Sequence, residues 1–397
     1  MIKLNFIKNL PSARTQNILL VGFMFFLLVI SIYRIIESPY SFFSAFDGID
    51  DWHRYARQGY DIKENGLLIN SVDKAYNGPG GILYNYFIAL NFLLFGDTFV
   101  SVFIIQALML GASVSFVFWT FKDEMNTLFQ YIYMGALFCF AFLDVYVNYT
   151  HQLLSENIGI FLFTVFFYCF IKVIREGNSK LLWICTLLIV LTCLSRPNVG
   201  ALVPLYLGII FYYRLTFFKI NYKEGLGHII IIILGGIFIP FRNYLISGDF
   251  NLFPTEGTSD SVYQLFHSGP KYFFDKVLFC FGYLSALEPK YAIRFHWIIM
   301  WLGYFYFILK LFTNKKLSSN PIIVTNLFIL LYILTLIVFC TIHSYGYRYL
   351  LPINFFILSM SIIGMQYLFT GKIKSDGSRL DLIGGYRKNK ASKSNLK

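Results

Sequence analysis

The stretch GILYNYFIALNFLLF, residues Gly81–Phe95, decides how the chain is arranged in a membrane. It is apolar enough to enter lipid, but its 15 residues fall short of the roughly 20 that a helix needs to cross a hydrocarbon core about 30 Å thick. Other apolar runs lie before and after it. Whether this stretch crosses the membrane therefore sets the side on which every later loop lies.

Ten other apolar runs are candidates for membrane-spanning helices. They lie near 17–36, 99–120, 127–147, 153–174, 181–195, 198–213, 227–246, 293–312, 321–342 and 349–369. With 57% hydrophobic and 14% charged residues, the 397-residue chain has too few polar side chains to cover a soluble globule. The sequence thus predicts an all-α polytopic membrane protein with about ten transmembrane helices. A proline separates the fifth and sixth runs at Ser195-Arg196-Pro197-Asn198, which predicts a tight helical hairpin.

The distribution of charge predicts the orientation. If Gly81–Phe95 does not cross, the cytoplasmic segments hold 21 of the 33 Lys and Arg residues but 6 of the 21 Asp and Glu residues. These segments are 1–17, 121–126, 172–180, 214–225, 310–316 and 370–397. If Gly81–Phe95 did cross, the basic loops would face outward, against the positive-inside rule. We therefore predict that it is an interfacial or re-entrant helix on the outer face, and that both termini are cytoplasmic.

Two predicted outer segments are large enough to build a site, 37–98 and 247–294. We expect a single transmembrane domain over 1–369 and a basic cytoplasmic tail over 370–397, near anionic lipid headgroups. The net charge of +12 lies in short loops rather than on one face, which argues against nucleic acid as a partner. No Cys or His spacing is typical of a metal site, so we predict none. No motif requires a cofactor, and a divalent cation stays an open alternative.

Carboxylates concentrate in the first outer segment. Asp47, Asp50 and Asp51 directly precede Trp52-His53-Arg54-Tyr55. A carboxylate beside an apolar wall is partly desolvated, which makes it a stronger base, and a general base that takes a proton from a hydroxyl benefits from this. Solvated loop charges or helix N-caps would explain the same residues equally well.

Several motifs follow one another along the chain. They are Asp51-Trp52-His53-Arg54-Tyr55-Ala56, Gly78-Pro79-Gly80-Gly81-Ile82-Leu83-Tyr84, Leu94-Phe95-Gly96, Leu154-Ser155-Glu156-Asn157, Leu194-Ser195-Arg196-Pro197, Pro240-Phe241-Arg242-Asn243-Tyr244 and Tyr347-Arg348-Tyr349-Leu350-Leu351-Pro352. In this order they resemble the lipid-sugar-dependent glycosyltransferases with the GT-C fold. The resemblance is greatest to the protein O-mannosyltransferase and aminoarabinose-transferase group, and it covers roughly residues 20–365. Trp52 departs from that family's pattern, which usually has Glu at this position.

The resemblance implies an inverting glycosyltransferase that moves a hexosyl or pentosyl group from polyprenyl phosphate to a hydroxyl of a surface glycan or lipid. Asp51 would be the general base, with Asp50 as an alternative or supporting carboxylate. Arg196, Arg242 and Arg348 lie at predicted outer helix ends, where they would bind the donor phosphate or merely extend to the interface. Further substrate contacts are expected from His53, Arg54, Tyr55, Tyr84, Glu156 and Asn243.

The expected location is a bacterial cell membrane, with juxtamembrane helices in the first outer segment and the active site on the outer face. One alternative is an O-antigen or capsule polymerase or ligase, which should carry a larger late outer segment. Another is a lipid or solute transporter, which should show inverted repeats and charged helices at mid-membrane. The conspicuous polar residues lie instead at the outer ends of predicted spans, which favours chemistry at the interface.

Overall fold

A computed structural model describes residues 13–37, 51–66, 82–143, 145–176, 178–216, 222–247, 267, 269–273, 295–313, 320–339 and 347–371. For some helical residues within these ranges, including Asp51, Asn243 and Arg348, only the backbone is described. The described segments form helices and turns, with no strand among them. The second predicted outer segment and the basic tail lie almost entirely outside these ranges, so both stay predictions.

Thirteen helices are named here in chain order. They are α1 Ala13–Glu37, α2 Asp51–Asn65, α3 Ile82–Phe95, α4 Val100–Phe121, α5 Thr127–Leu143, α6 Val145–Tyr149, α7 Glu156–Glu176, α8 Ser179–Ser195, α9 Val203–Thr216, α10 Tyr222–Ser247, α11 Phe295–Thr313, α12 Asn320–Phe339 and α13 Tyr347–Thr370. Short 3₁₀ segments follow α4 at Lys122–Glu124 and precede α9 at Pro197–Leu202.

Six of the described helical segments are long and apolar enough to cross a membrane. They are Ala13–Glu37, Val100–Glu124, Glu156–Glu176, Tyr222–Arg242, Pro321–Val338 and Leu350–Thr370. Each overlaps a run predicted from the sequence. The remaining predicted runs correspond to shorter apolar helices, so a total of ten crossings stays a prediction.

The structure differs from the predicted runs around the start of α7. The run predicted over 127–147 is divided, because α5 ends at Leu143 and the short helix α6 follows. The next helix begins at Glu156 rather than near 153, because Leu153 and Leu154 lie in a turn although their side chains are buried. Because these turn residues are apolar, a hydropathy pattern includes them in the predicted span.

The predicted hairpin at Ser195–Asn198 is observed as a sharp break. Helix α8 ends at Ser195, and Arg196 has an extended backbone with φ −142° and ψ 91°. Pro197 then begins the 3₁₀ segment, where its missing N–H leaves no broken helical hydrogen bond. The break places the Arg196 side chain at the end of α8 instead of along its face.

Hydrogen bonds and an ion pair between side chains close one end of the helix bundle. Gln16 of α1 donates to Gln130 of α5 at 2.8 Å, and Gln366 of α13 accepts from the backbone N–H just before α5 at 2.8 Å. Arg175 of α7 lies 3.0 Å from Glu124, which follows α4. Helices α4 and α7 have their other ends beside α2 and α3, where Tyr84 bonds Gln106 and Tyr55 bonds Ser155, and we call this the α2–α3 end.

Aromatic rings and small residues fill the centre of the bundle. Phe167 of α7 packs on Phe356 of α13 with ring centroids 4.6 Å apart, and Phe328 of α12 completes this cluster at 5.5 Å from Phe167. Helices α11 and α13 approach closely at Gly303 and Gly364, where a methyl group would collide with the opposite helix. Small residues that allow such approach are typical of helix packing in membranes.

Helices α2 and α3 form a pair that runs in the same direction. Asn85 donates to Gln58 at 2.6 Å near their starts, and Lys63 lies 2.8 Å from Asp97 near their ends. Hydrogen bonds to Asp97 and to the adjacent glutamate raise the pKa of Lys63. A Cβ on Gly59 would come within 2.5 Å of a side-chain atom of α3, so glycine permits the close packing of the pair.

The two helices of this pair have different surfaces. Helix α2 is polar, whereas α3 is apolar and exposes Leu90, Leu93, Leu94 and Phe95 at its C-terminal end. Exposed apolar side chains beside the charged pair of Lys63 and Asp97 are what a helix at a membrane interface would show. The interfacial placement of α3 nevertheless rests on the charge distribution and stays a prediction.

Candidate active site

The predicted site residues with described side chains all lie toward the α2–α3 end. His53, Arg54 and Tyr55 are on the first turn and a half of α2, Tyr84 is near the start of α3, Glu156 begins α7, Arg196 follows α8, and Arg242 is near the end of α10. Asp51 begins α2, Asn243 is in α10 and Arg348 is in the first turn of α13, but their side chains are not described. Asp50 lies outside the described residues.

Glu156 and Arg196 form a buried ion pair. The Arg196 Nη1 atom donates to Glu156 Oε1 at 3.1 Å, and the two side chains are 8% and 0% exposed. The pair joins the start of α7 to the break after α8, two segments 40 residues apart in sequence. Because both groups are desolvated, the attraction between the two charges offsets part of the cost of burying them.

A glycine on α7 makes room for this pair. Gly159 lies one turn after Glu156, and a Cβ there would come within 2.6 Å of Arg196 Cγ and 3.4 Å of Ser195 Oγ. The methylene groups of Arg196 therefore pass directly over the backbone of α7 before the guanidinium reaches the carboxylate. The sequence motifs did not identify Gly159, because a helical glycine alone does not indicate which side chain crosses it.

Two tyrosines connect α2 and α3 to this region. Tyr84 is fully buried, and its ring packs edge to face on Tyr55 with centroids 5.0 Å apart. The Tyr55 hydroxyl donates to Ser155 Oγ at 3.3 Å, next to Glu156. Burial raises the pKa of the Tyr84 hydroxyl, and the nearby Tyr55 and Glu156 side chains raise it further. The structure thus brings Tyr55, Tyr84, Glu156 and Arg196 together.

Arg242 is a second buried cation. The residue is 3% exposed, and its Nε atom donates to the hydroxyl of Tyr86 on α3 at 3.1 Å. Its Nη1 atom is buried without a hydrogen-bond partner among the residues described. No carboxylate in the described ranges forms an ion pair with it. Tyr86 was not predicted, although its spacing of two residues from Tyr84 places it on another face of the same helix.

The turn between α6 and α7, Thr150–Ser155, is held by its neighbours. His151 Nδ1 lies 2.9 Å from Thr150 Oγ1, and Nε2 lies 3.3 Å from the carbonyl oxygen of Ser31 on α1. Burial lowers the pKa of His151, and the positive charge of Arg34 lowers it further. His151 is therefore neutral near pH 7 and acts as a hydrogen-bonded connection between the turn and α1.

The first turn of α2 presents aromatic and basic side chains beside the predicted base. The rings of Trp52 and His53 are in contact, with centroids 3.5 Å apart and planes tilted by 34°, and both residues are partly exposed. Arg54 is also partly exposed. Trp52, which stands where the related family usually has Glu, packs against the core of the bundle.

The described part of this region contains no cluster of metal-ligating side chains. Among the side chains that the structure describes, no three His, Cys, Asp or Glu residues lie close enough to hold a metal ion. The side chains of Asp50 and Asp51 lie outside the described residues. The described residues at this end include tyrosines, amides and the Glu156–Arg196 ion pair, which suit hydrogen bonding to a substrate.

Comparisons with known proteins agree with the predicted resemblance. A family model described as dolichyl-phosphate-mannose-protein mannosyltransferase matches residues 78–239, which include Tyr84, Glu156 and Arg196 but not Arg242. Two solved structures of ArnT from Cupriavidus metallidurans are similar, one bound to undecaprenyl phosphate and one in the apo state. Their TM-scores are 0.57 and 0.52, each at 12% identity. No curated protein sequence matches the chain.

The structural likeness covers most of this chain but less of the other. It extends over 89% and 90% of this chain and over 60% of each ArnT chain. At this level of identity the likeness shows the fold. The predicted all-α polytopic architecture of the GT-C type is thereby confirmed, and so is the resemblance to the polyprenyl-phosphate-sugar-dependent glycosyltransferases.

Proposed function

We propose that the chain is a membrane glycosyltransferase that takes a sugar from a polyprenyl-phosphate donor and transfers it to a hydroxyl group. The description of the matching family names dolichyl-phosphate-mannose, and one ArnT structure contains undecaprenyl phosphate. Both are polyprenyl phosphates, so the two independent likenesses support the same donor class. The acceptor that we propose is a glycan or lipid at the outer face of the cell membrane, in keeping with the predicted orientation.

The observation that carries this proposal is the buried guanidinium of Arg242. A buried charge without a counter-charge is strongly unfavourable, and among the described residues this side chain contacts a neutral hydroxyl. An anion is therefore expected beside it. A phosphate suits this position because a guanidinium binds two of its oxygens at once, and Nη1 has no hydrogen-bond partner in the described ranges.

The proposed chemistry is displacement at the anomeric carbon. The acceptor hydroxyl oxygen attacks this carbon while its proton passes to the Asp51 carboxylate, and the bond between the carbon and the phosphate oxygen breaks. Negative charge develops on the leaving lipid phosphate, and fixed cations stabilise it. Attack from the face opposite the phosphate inverts the anomeric configuration. Asp50 is the alternative base.

The arginines would contribute unequally to phosphate binding. Arg196 already donates to Glu156, so the pair is neutral overall and offers the phosphate directed N–H groups rather than net charge. Arg242 contributes the full positive charge. Arg348 is proposed as a third contact because α13 begins at Tyr347, with the arginine in its first turn.

The position of α2 supports Asp51 as the base. Tyr55 lies one turn after Asp51 and packs on Tyr84 and Ser155, next to the Glu156–Arg196 pair. The start of α2 is thereby held near the same end of the bundle as both described arginines. His53, Arg54 and Asn243 stay proposed substrate contacts.

The test measures lipid binding and sugar transfer on the same purified variants. Arg242→Gln should weaken binding of undecaprenyl phosphate by roughly 10- to 100-fold, because a charge-assisted hydrogen bond contributes about 1.5–3 kcal/mol. Arg34→Gln is the matched control, since Arg34 is a partly exposed arginine at the same end that bonds Asn148 at 2.9 Å. Its binding should stay within about twofold of the wild type.

Transfer from synthetic polyprenyl-phosphate sugars completes the test. Asp51→Asn should abolish transfer while lipid binding persists, and Asp50→Asn should retain transfer if Asp51 is the base. If Arg242→Gln and Arg34→Gln bind the lipid equally well, the phosphate assignment is wrong. If the lipid binds but no donor sugar is consumed under any condition, the transporter alternative replaces the enzyme.

A further inference from the structure

Gln106 is a fully buried amide within the apolar helix α4, and all its contacts reach other segments. Its Oε1 atom accepts from the Tyr84 hydroxyl at 2.7 Å. Its Nε2 atom donates to the carbonyl oxygens of Thr150 and Gln152, each at 3.1 Å. One side chain therefore joins α3, α4 and the α6–α7 turn.

The other buried polar residues of α4 behave differently. Ser113, Ser115 and Thr120 each donate to the carbonyl oxygen four residues earlier in the same helix. Such bonds satisfy the hydroxyl within its own helix and connect nothing else. Gln106 is distinct because its amide has no bond to α4 and satisfies carbonyl groups that the turn leaves outside a helix.

The turn held by Gln106 leads directly to the buried ion pair. The turn ends at Ser155, which accepts from Tyr55, and Glu156 follows as the first residue of α7. Asn157 donates back to the carbonyl oxygen of Tyr149 at 2.8 Å, which fixes the other end of the turn. Movement of this turn would displace Glu156 and, with it, Arg196.

We propose that Gln106 is a positioning residue, whose amide holds the α6–α7 turn against Tyr84 so that the Glu156–Arg196 pair keeps its place beside α3. The inference rests on the proposed glycosyltransferase function. Gln106 is fully buried, and its amide bonds to Tyr84 and to the turn. Its effect on transfer is therefore through geometry. A displacement of a reacting group by about 1 Å can reduce the rate by about 100-fold.

The test replaces the amide with a side chain of similar length that cannot form these bonds, Gln106→Met. The matched control is Asn326→Leu, which removes a buried amide on α12 that donates to Ile322 of its own helix and, at 3.6 Å, to the Met360 sulfur on α13, but not to the α6–α7 turn. Three quantities are measured: the kcat for sugar transfer, the affinity for undecaprenyl phosphate, and the rate of maleimide labelling of Ser155→Cys. The labelling uses a chain whose six native cysteines are replaced by alanine.

For Gln106→Met we expect kcat to fall by roughly 10- to 100-fold, while lipid affinity stays within about twofold. Ser155 is fully buried, so its cysteine should label slowly in the parent chain. Labelling should become roughly tenfold faster in Gln106→Met, because two hydrogen bonds that hold the turn are lost. Asn326→Leu should change none of these quantities.

The labelling result separates this inference from the proposed function. If labelling is unchanged in Gln106→Met, or if it rises while kcat is unaffected, the positioning role is wrong. If the wild type transfers no sugar, the proposed function fails, and unchanged labelling would still overturn the claim about the turn. Should Gln106→Met fail to accumulate, Gln106→Asn is measured in the same way, because it keeps an amide but cannot reach both segments.

Discussion

The buried pair of Glu156 and Arg196 gives the most direct test of the structure at the α2–α3 end. Glu156→Gln removes the negative charge while it keeps the size of the side chain and an oxygen that can still accept from Arg196. The guanidinium would then be a buried cation whose residue is 6% exposed. The substitution therefore isolates the charge compensation and leaves the packing of α7 against α8 intact.

The size of the effect follows from the burial of both partners. Loss of one partner from a buried ion pair costs about 3–5 kcal/mol, and we take about 3 kcal/mol because one hydrogen bond is kept. If the entropy of unfolding scales per residue as in globular proteins, each kcal/mol lowers the Tm of a 397-residue chain by roughly 1.2 °C. The expected shift is about 4 °C.

Thermal unfolding of the purified protein in detergent measures this shift. Glu124→Gln is the control, since it breaks the pair with Arg175 at the opposite end, where the Arg175 side chain is 21% exposed and also donates to a backbone carbonyl. Its shift should be less than half as large. The double variant Glu156→Gln/Arg196→Gln should be more stable than Glu156→Gln alone, because the uncompensated charge is gone. Equal shifts for Glu156→Gln and Glu124→Gln would refute the reasoning.

Two substitutions of glycine test the close contacts of the site. Gly159→Ala places a methyl group 2.6 Å from Arg196 Cγ. We therefore expect at least a tenfold loss of transfer and a loss of stability of about 1–3 kcal/mol. The control Gly135→Ala, with no atom within 4 Å of its new Cβ, should leave transfer and stability unchanged. Gly59→Ala places a methyl group 2.5 Å from Ile88 Cγ2 and should lower the Tm, whereas Gly59→Ala/Ile88→Ala should recover part of the loss. An active Gly159→Ala protein, or no recovery in the double variant, would contradict these contacts.

Much of the fold was predictable because lipid selects long apolar runs. Helices α1, α4, α12 and α13 begin and end within about five residues of the predicted runs, since hydropathy changes sharply at their ends. The division between α5 and α6 was not predicted. Nor was the start of α7 at Glu156 predicted from hydropathy. The backbone of the preceding α6–α7 turn is satisfied by side chains from other segments, such as Gln106 and Asn157, and hydropathy contains no information about such partners.

The membership of the site was more predictable than its contacts. The motifs identified Tyr55, Tyr84, Glu156 and Arg196, which the structure brings together. The motifs did not indicate that the Glu156 carboxylate pairs with the Arg196 guanidinium. These residues are 40 positions apart, and their contact depends on how α7 packs on α8. Gln106 could have been singled out, because a lone amide within an apolar run must find a partner away from lipid.

The arrangement of α3 explains how one short helix can serve two differently charged regions. Tyr84 and Tyr86 are two residues apart, so their side chains leave the helix about 200° apart. Tyr84 faces Gln106 and the neutral pair of Glu156 and Arg196, whereas Tyr86 contacts Arg242. The helix therefore separates a compensated ion pair from a cation with no carboxylate partner among the described residues. A lipid phosphate would be drawn to Arg242 on the Tyr86 side, while the side chains on the Tyr84 side would keep their positions. Because Gln106 contacts only the Tyr84 side, it should affect the rate of transfer without affecting lipid binding.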